Sequence, residues 1–446
     1  MSEKTLFQIP APQAQPPRPP TQPEEARVVR PKREQLQWAP VDLESLLSQD
    51  HAARAVWGFL EKLDLSGFYG SIKAVENRPG RPTTDPQVLL ALWLLATVEG
   101  VGSARRLARL CEEHDAYRWL CGGVPINYHM LSDFRVAHQR ALDDLLSQIV
   151  ASLMAAGAVK LERVAQDGMR VRASAGASSF RRKKGLESCL KAARAQVKRL
   201  AQEREHPDPG VTRRQQAARE RAAQEREERV EEALAYLPQA KAAKERQSRT
   251  RTIAERTKLR APRTSTTDPQ ARVMKMPDGG FRPAYNVELA TDSAEGVIVG
   301  VAVISEGTDA GQAAPMEAQV VRRTGQHPKS YLMDGGFATR DDITTLEQRG
   351  VAVYAPVRLP RNRPEQERFQ PRYGDEPEVV RWRRRMATEE AKAIYRQRGS
   401  TAEWANAQVR LHGVSQFTVR GLAKVTSVAL LVAVAHNFLR WEALMG

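Results

Sequence analysis

Apolar positions follow three different rhythms along the 446 residues. From Trp38 to about Ala156 they recur at helical spacing, with Val56, Trp57, Phe59, Leu60 and Leu63 in one segment and Val88, Leu89, Leu92, Trp93, Leu94, Leu95 and Val98 in another. Asp42 is placed to cap a helix carrying Leu43, Leu46 and Leu47. Asp85-Pro86 opens the Val88 helix and Gly100 closes it, because Pro fits the first helical turn and Gly the exit. Ser103 starts a short helix from Ala104 to Cys111, and Leu131 to Gln148 reads as one further helix behind Ser132. Between Phe180 and Arg260 the apolar residues thin to Leu186, Leu190, Val197, Leu200, Val230, Leu234 and Leu237 in a field of charge. His206-Pro-Asp-Pro-Gly210 divides that stretch into two arms, which predicts a helical hairpin or coiled-coil insertion.

Period two appears on either side of the insertion. Arg163 to Ala173 is a strand whose alternation Asp167 and Gly168 interrupt. Phe281 to Thr291 and Gly296 to Ile304 form an antiparallel hairpin turning at Asp292-Ser-Ala-Glu-Gly296. There follow a helix from Gly311 to Arg323, a strand from Lys329 to Asp334, a helix from Arg340 to Arg349 and a strand from Val351 to Val357. Pro360 to Tyr373 is a loop, helix resumes near Pro377, and a long apolar helix from Val425 to Ala443 ends the chain.

Without the insertion, this is the element order of an RNase H-like domain, an α/β fold with a mixed sheet flanked by helices. The expected organisation is a Pro-rich disordered tail over 1–35, an all-helical DNA-binding domain over 36–157, and a catalytic domain over 158–446 that carries the helical basic insertion 180–260 after its first strand. In such a fold the first and fourth strands are neighbours, so Asp167 and Asp334 meet at one end of the sheet. A Glu from the late helix completes three hard oxygen ligands for a divalent metal. Glu403 is the candidate, with Glu389 and Glu390 as its competitors. Among the other carboxylates, Asp292 reads as a turn residue, Asp309 as an N-cap, and Asp341 and Asp342 as partners of a helix dipole.

Composition narrows the partner. The net charge is +16 and the isoelectric point about 10.0, which points to a polyanion, nucleic acid first. Within the insertion, basic residues outnumber acidic ones about two to one. Arg105, Arg106 and Arg109 share one short helix, compatible with a helix-turn-helix laid on DNA or with a plain bundle whose arginines are solvated. Cys111, Cys121 and Cys189 have neither metal-ligand nor disulfide-framework spacing, and read as packing residues in a reducing cytosol. His114, His129 and His138 read as surface or capping groups. No apolar signal core opens the chain and the run Val425 to Ala435 is too short to span a bilayer, so a cytoplasmic protein is expected.

Several phrases carry a family resemblance. They are Gln166-Asp-Gly168 with Arg170-Val-Arg-Ala-Ser174, Asp268-Pro-Gln-Ala-Arg-Val-Met-Lys275, Tyr285-Asn-Val287, Asp309-Ala-Gly311, Asp334-Gly-Gly336, and the spaced Tyr395, Arg398 and Glu403. Together, and in this order, they resemble the bacterial insertion-sequence transposases of the DDE class, in the branch with an InsH-like N-terminal helical domain. Around Glu403 the chain reads Ala-Glu-Trp-Ala-Asn, where the family more commonly has Val-Glu-x-x-Phe. The resemblance implies cleavage of DNA at the element's ends and strand transfer into a target, with Mg²⁺, or Mn²⁺ in its place, held by Asp167, Asp334 and Glu403. It further implies that Tyr395, Arg398 and Arg410 hold phosphate, that a homodimer forms on DNA, and that the protein is nucleoid-associated. Two alternatives stay open: an RNase H-like nuclease without strand transfer, and a DNA-binding or domesticated protein without catalysis.

Overall fold

Helices account for the first part of the fold, and caps set their ends. In this computed structural model, residues 42–70, 72, 82–205, 210–248, 261–359 and 363–445 are described. The expected tail, most of the His206 to Gly210 break and the start of the Pro360 loop lie outside them. Ala52–Leu60 begins at His51, whose ring accepts the Ala53 N–H. Pro86–Val98 begins at Asp85, which accepts the Gln87 N–H at 2.8 Å, and ends before Gly100 at φ +71°. Nearly every side chain of this helix is buried.

Two expectations fail here for local reasons. Asp42 caps no helix: only a 3₁₀ turn, Glu44–Leu46, forms, preceded by Leu43. Leu131 to Gln148 is two helices, Tyr128–Ala137 capped by Asn127 and Gln139–Ala155. They part at His138, whose backbone leaves the helical region and whose ring sits against Phe68 and Phe134. A helix not read from sequence, Asp115–Cys121, is capped by His114 and ended by Gly122 in the left-handed region.

Among the described residues eight strands follow: β1 Arg163–Arg172, β2 Phe180–Arg181, β3 Thr264–Ser265, β4 Arg272–Lys275, β5 Phe281–Asp292, β6 Ile298–Ile304, β7 Ser330–Met333 and β8 Ala352–Tyr354. β2 and β3 form a small ladder of their own, and β4 was not expected. In the main sheet β5 pairs antiparallel with β1 along one edge, while β4 and then β6 pair with the other edge. β1 also pairs parallel with β7, and β7 parallel with β8. The result is a mixed sheet in which β1 lies between β5 and β7.

Helices cover it. Ala313–Thr324 crosses over between β6 and β7 and packs on β6. The C-terminal helix Leu422–Met445 packs on β6, Pro86–Val98 and Gln139–Ala155, so one apolar core runs from the helical region into the sheet. It is long and apolar enough to cross a membrane by length and composition, yet 67 % of that window is buried inside this fold. The insertion consists of Lys183–Glu205 and Arg213–Ala235, packed antiparallel, then Leu237–Ser248. Arg194 bonds Glu227 and Glu231 across the pair, and Gln216 reaches the Leu200 carbonyl nearer the connection.

β6 is an edge strand, and two side-chain amides replace its missing neighbour. Gln319 accepts the Val301 N–H at 2.6 Å and donates to the Val301 carbonyl at 2.9 Å. Asn437, fully buried in the C-terminal helix, does the same for Ile298, both bonds 2.8 Å. An open edge would leave these groups unpaired beneath two helices. Asn437→Leu should therefore lower the free energy of unfolding by about 3 kcal/mol, read from urea denaturation, because two buried backbone groups lose their partners at once.

Candidate active site

Asp167 stands where the parallel ladder stops. The last paired residues of β1 and β7 are Gln166 and Met333, so the next residue on each strand is an aspartate, Asp167 and Asp334. Side chains alternate along a strand, hence Asp167 faces one side of the sheet and Gly168 the other. One Asp167 oxygen accepts from Asn406 Nδ2 at 2.9 Å, and the other takes the Gly168 N–H at 3.0 Å and stands 3.7 Å from Arg398. Burial raises this carboxyl above its ordinary range, Arg398 opposes the rise, and Asp334 and Asp309 add to it. Asp334 turns back on its own loop, accepting the N–H groups of Gly336 at 2.5 Å and Phe337 at 3.3 Å.

The late helical element reaches Asp167 through a change of pitch. Glu389–Arg398 runs into a π turn, Gly399–Glu403, and then into Trp404–Leu411. Residues five apart on an α-helix point about 140° away from each other. The wider π turn brings Glu403 Oε1 to 3.6 Å from Arg398, and Asn406 follows on the side facing Asp167. Arg398 thus lies between the two carboxylates, itself largely buried while Glu403 is 68 % exposed. Tyr395 is half-buried beside Arg398. Burial raises its phenol, Arg398 lowers it, and Asp334 and Asp167 raise it, so the ring stands within electrostatic reach of both aspartates.

Other sequence candidates lie elsewhere. Arg410 is exposed in the last turn of its helix. Arg105, Arg106 and Arg109 are exposed on Ala104–Glu113, which Leu107 anchors to the helices that follow; the Arg105 guanidinium covers the Tyr128 ring at 5.1 Å. Glu389 and Glu390 open a helix behind the Thr388 cap, exposed, with Glu389 paired to Lys392. Asp292 keeps its turn role and also accepts the Leu161 N–H. Asp268 is buried as the acceptor of the Tyr285 hydroxyl, 2.7 Å.

Two acidic residues beside β1 carry more than their sequence reading. Glu288 pairs with Gly168 across the β1–β5 ladder and is completely buried, its oxygens accepting from Asn286 at 2.6 Å and Gln166 at 3.3 Å. Burial holds this carboxyl well above its ordinary range, and neighbouring Asp309 adds to the effect. Asp309 is not an N-cap. The helix Ala313–Thr324 follows Gln312 without a side-chain cap, and Asp342 takes the N–H groups of Gly311 and Ala314 at 3.0 and 3.1 Å. Asp309 instead accepts from Asn286 Nδ2 at 2.6 Å and faces Arg170 at 3.9 Å. The signal in the sequence was Asn286 and Glu288, two polar residues on one face of an otherwise apolar strand.

Among the described residues, no three His, Cys, Asp or Glu side chains converge into a ready-made metal cage; Arg398 lies between Asp167 and Glu403. The donor chemistry nevertheless suits a hard divalent cation. Asp167, Asp334, Glu403 and Asp309 outnumber Arg398 and Arg170, and the buried amide oxygens of Asn406 and Asn286 have no donor. Room is built in as well. A Cβ on Gly168 would lie 2.9 Å from Glu288 Oε1, 3.0 Å from Asn286 Oδ1 and 3.1 Å from Asp309 Oδ1. Gly168→Ala should push this group apart and lower stability by about 1–3 kcal/mol, seen as a reduced melting temperature, although alanine favours a strand over glycine.

Two family models match the chain. One, described as Transposase domain (DUF772), matches residues 41–137; the other, Transposase DDE domain, matches residues 362–441. No curated protein and no solved structure matches. The first span covers the helices that precede β1, and the second contains Tyr395, Arg398, Glu403 and Asn406; Asp167 and Asp334 lie outside both. Two independent matches at opposite ends of the chain agree with the order of motifs between them, and the protein belongs to the insertion-sequence transposases of the DDE class.

Proposed function

We propose that this protein cuts DNA at the ends of an insertion sequence and joins the freed ends to a target, using divalent metal on an RNase H-like domain that spans 158–446. The observation that carries the proposal is the parallel register of β1 and β7, which delivers Asp167 and Asp334 side by side where the ladder ends. The strand order, with β5 and β6 antiparallel on one side of β1 and β7 and β8 parallel on the other, supports the fold assignment.

Asp167, Asp334 and Glu403 would hold Mg²⁺ or Mn²⁺. Such ions, when bound, activate a water or a 3′-hydroxyl and stabilise the departing oxygen at phosphorus. The chain's own groups do the positioning. Asn406 holds one oxygen of Asp167 and so fixes the plane of its carboxylate, while the Gly336 and Phe337 N–H groups fix Asp334. Arg398 shields Asp167 from Glu403, and its Nη1, 3.7 Å from Asp167, makes no hydrogen bond; once released from the acids it would take a phosphate oxygen of the substrate. Tyr395 flanks it and would border the scissile strand.

DNA contacts away from the chemistry fall to the exposed Arg105, Arg106 and Arg109, to Arg410 and to the basic insertion, within a helical domain over 36–157 and its neighbour. Pairing two DNA ends calls for at least a homodimer on DNA, in the cytoplasm at the nucleoid. The test uses end-labelled duplexes carrying the inverted ends that border the coding region. Asp167→Asn, Asp334→Asn and Glu403→Gln should each reduce cleavage by on the order of 10²–10³-fold or more while DNA retention persists. Cleavage without joined products in the unaltered protein would favour a nuclease. Cleavage indifferent to all three substitutions would leave a DNA-binding protein.

A further inference from the structure

Glycine inside a strand weakens it and commonly marks a close approach by another group. Gly168, one residue after Asp167, is such a glycine, and Gly336, two residues after Asp334, lies in the turn that follows β7. Neither has a positive φ, so backbone conformation does not call for glycine at either position. Space does. Asp309 Oδ1 lies 3.1 Å from where a Gly168 Cβ would stand, and Asp309 Oδ2 lies 3.3 Å from where a Gly336 Cβ would stand. The second of these points is also 2.8 Å from Asp334 Oδ1. One carboxylate therefore reaches with one oxygen to the strand position next to Asp167 and with the other to the turn that holds Asp334.

It is held there firmly. Asn286, fully buried, donates to Asp309 and to Glu288 at 2.6 Å each. Asp342, itself held by the Thr339 hydroxyl, pins the loop that carries Asp309 by accepting the N–H groups of Gly311 and Ala314. Positive charge is sparse there. Arg170 stands at 3.9 Å, beyond hydrogen-bond distance, and Asn286 Oδ1 is a buried acceptor with no donor that points, 3.0 Å away, at the same Gly168 position as Asp309. A buried amide oxygen without a donor beside fixed carboxylate oxygens is the environment of a cation.

Resting on the reading of Asp167 and Asp334 as metal-holding residues, we propose that Asp309 is a further carboxylate of the same centre, a ligand for hard divalent cations presented from the loop after β6. The oxygen-only surroundings select Mg²⁺ or Mn²⁺ over softer metals. Glu288, buried beneath it, supports Asp309 through their shared partner Asn286.

The test is metal binding read without turnover, on the full-length protein. Mn²⁺ titrations followed by electron paramagnetic resonance should show Asp309→Asn weakening binding about 10-fold or more, as Asp334→Asn does. Thermal melts check that each variant is folded. Mapping on the unaltered protein needs no variant: Fe²⁺ with ascorbate should cut the backbone near 167, 309 and 334, and excess Mg²⁺ should suppress all three cuts. Cuts near 167 and 334 without one near 309, or Mn²⁺ affinity unchanged in folded Asp309→Asn but lost in Asp334→Asn, overturns the role of Asp309 and leaves the DNA-cleaving reading intact. Absence of Mn²⁺ binding and of iron cuts in the unaltered protein defeats both.

Discussion

Two carboxylates emerge from adjacent parallel strands at the point where backbone pairing ends, and most of the surrounding structure answers that constraint. Parallel strands need a crossover, and Ala313–Thr324 supplies it, leaving β1 and β7 to finish together at Gln166 and Met333. Burial raises the carboxyl of Asp167 above its ordinary range, and the like charge of Asp334 adds to the rise. The fold compensates with directed donors. Asn406 and Arg398 attend Asp167, and the backbone N–H groups of a tight turn attend Asp334. Both side-chain donors to Asp167 come from the late helical element, so its geometry depends on that element being docked correctly.

Departures from ordinary folding preferences gather in the same small volume. Gly168 interrupts a central strand, a π turn interrupts a helix, Glu288 is a carboxyl with no exposure, and Arg398, Asn406 and Asn286 each keep a buried polar atom unpaired. Two places away from the site show how such departures are otherwise avoided. The open edge of β6 is completed by Gln319 and Asn437, and the insertion begins its second arm with a reciprocal Thr212–Gln215 cap. A strand glycine, a π turn and a wholly buried carboxyl clustered around two aspartates give up stability at one place, the usual mark of a functional constraint.

How far the sequence could foretell this depends on the range of the interaction concerned. Caps and turns are local, so Asp85-Pro86, Gly100, Ser103 and the Asp292 turn read correctly, and the order of strands followed from them. The neighbouring position of Asp167 and Asp334 was legible because the order of elements resembles a fold in which the first and fourth strands lie side by side. The break at His138 was not, since a helical pattern runs through it and only packing against Phe68 and Phe134 stops the helix. Asp309 was misread for a similar reason: it precedes a helix as an N-cap does, but Asp342, from a distant segment, already holds that helix's first turn. The π turn left no trace in residue types, although the five-residue spacing of Arg398 and Glu403 matches its pitch.

Charge gives the last step. The chain carries +16, which draws a polyanion from solution over roughly a Debye length, about 8 Å at physiological salt. At the end of β1 that polyanion meets the opposite sign, because Asp167, Asp309, Asp334 and Glu403 are answered, among the described residues, by ion pairs to Arg170 and Arg398. A phosphate cannot settle against uncompensated carboxylates. Either the arginines swing from acid to phosphate, which strips the acids of their partners, or cations come between. Under the proposed chemistry the second resolves both repulsions at once: each ion bound by the acids becomes a site for phosphate oxygen, and Arg398, released from Asp167 and Glu403, can turn to the DNA.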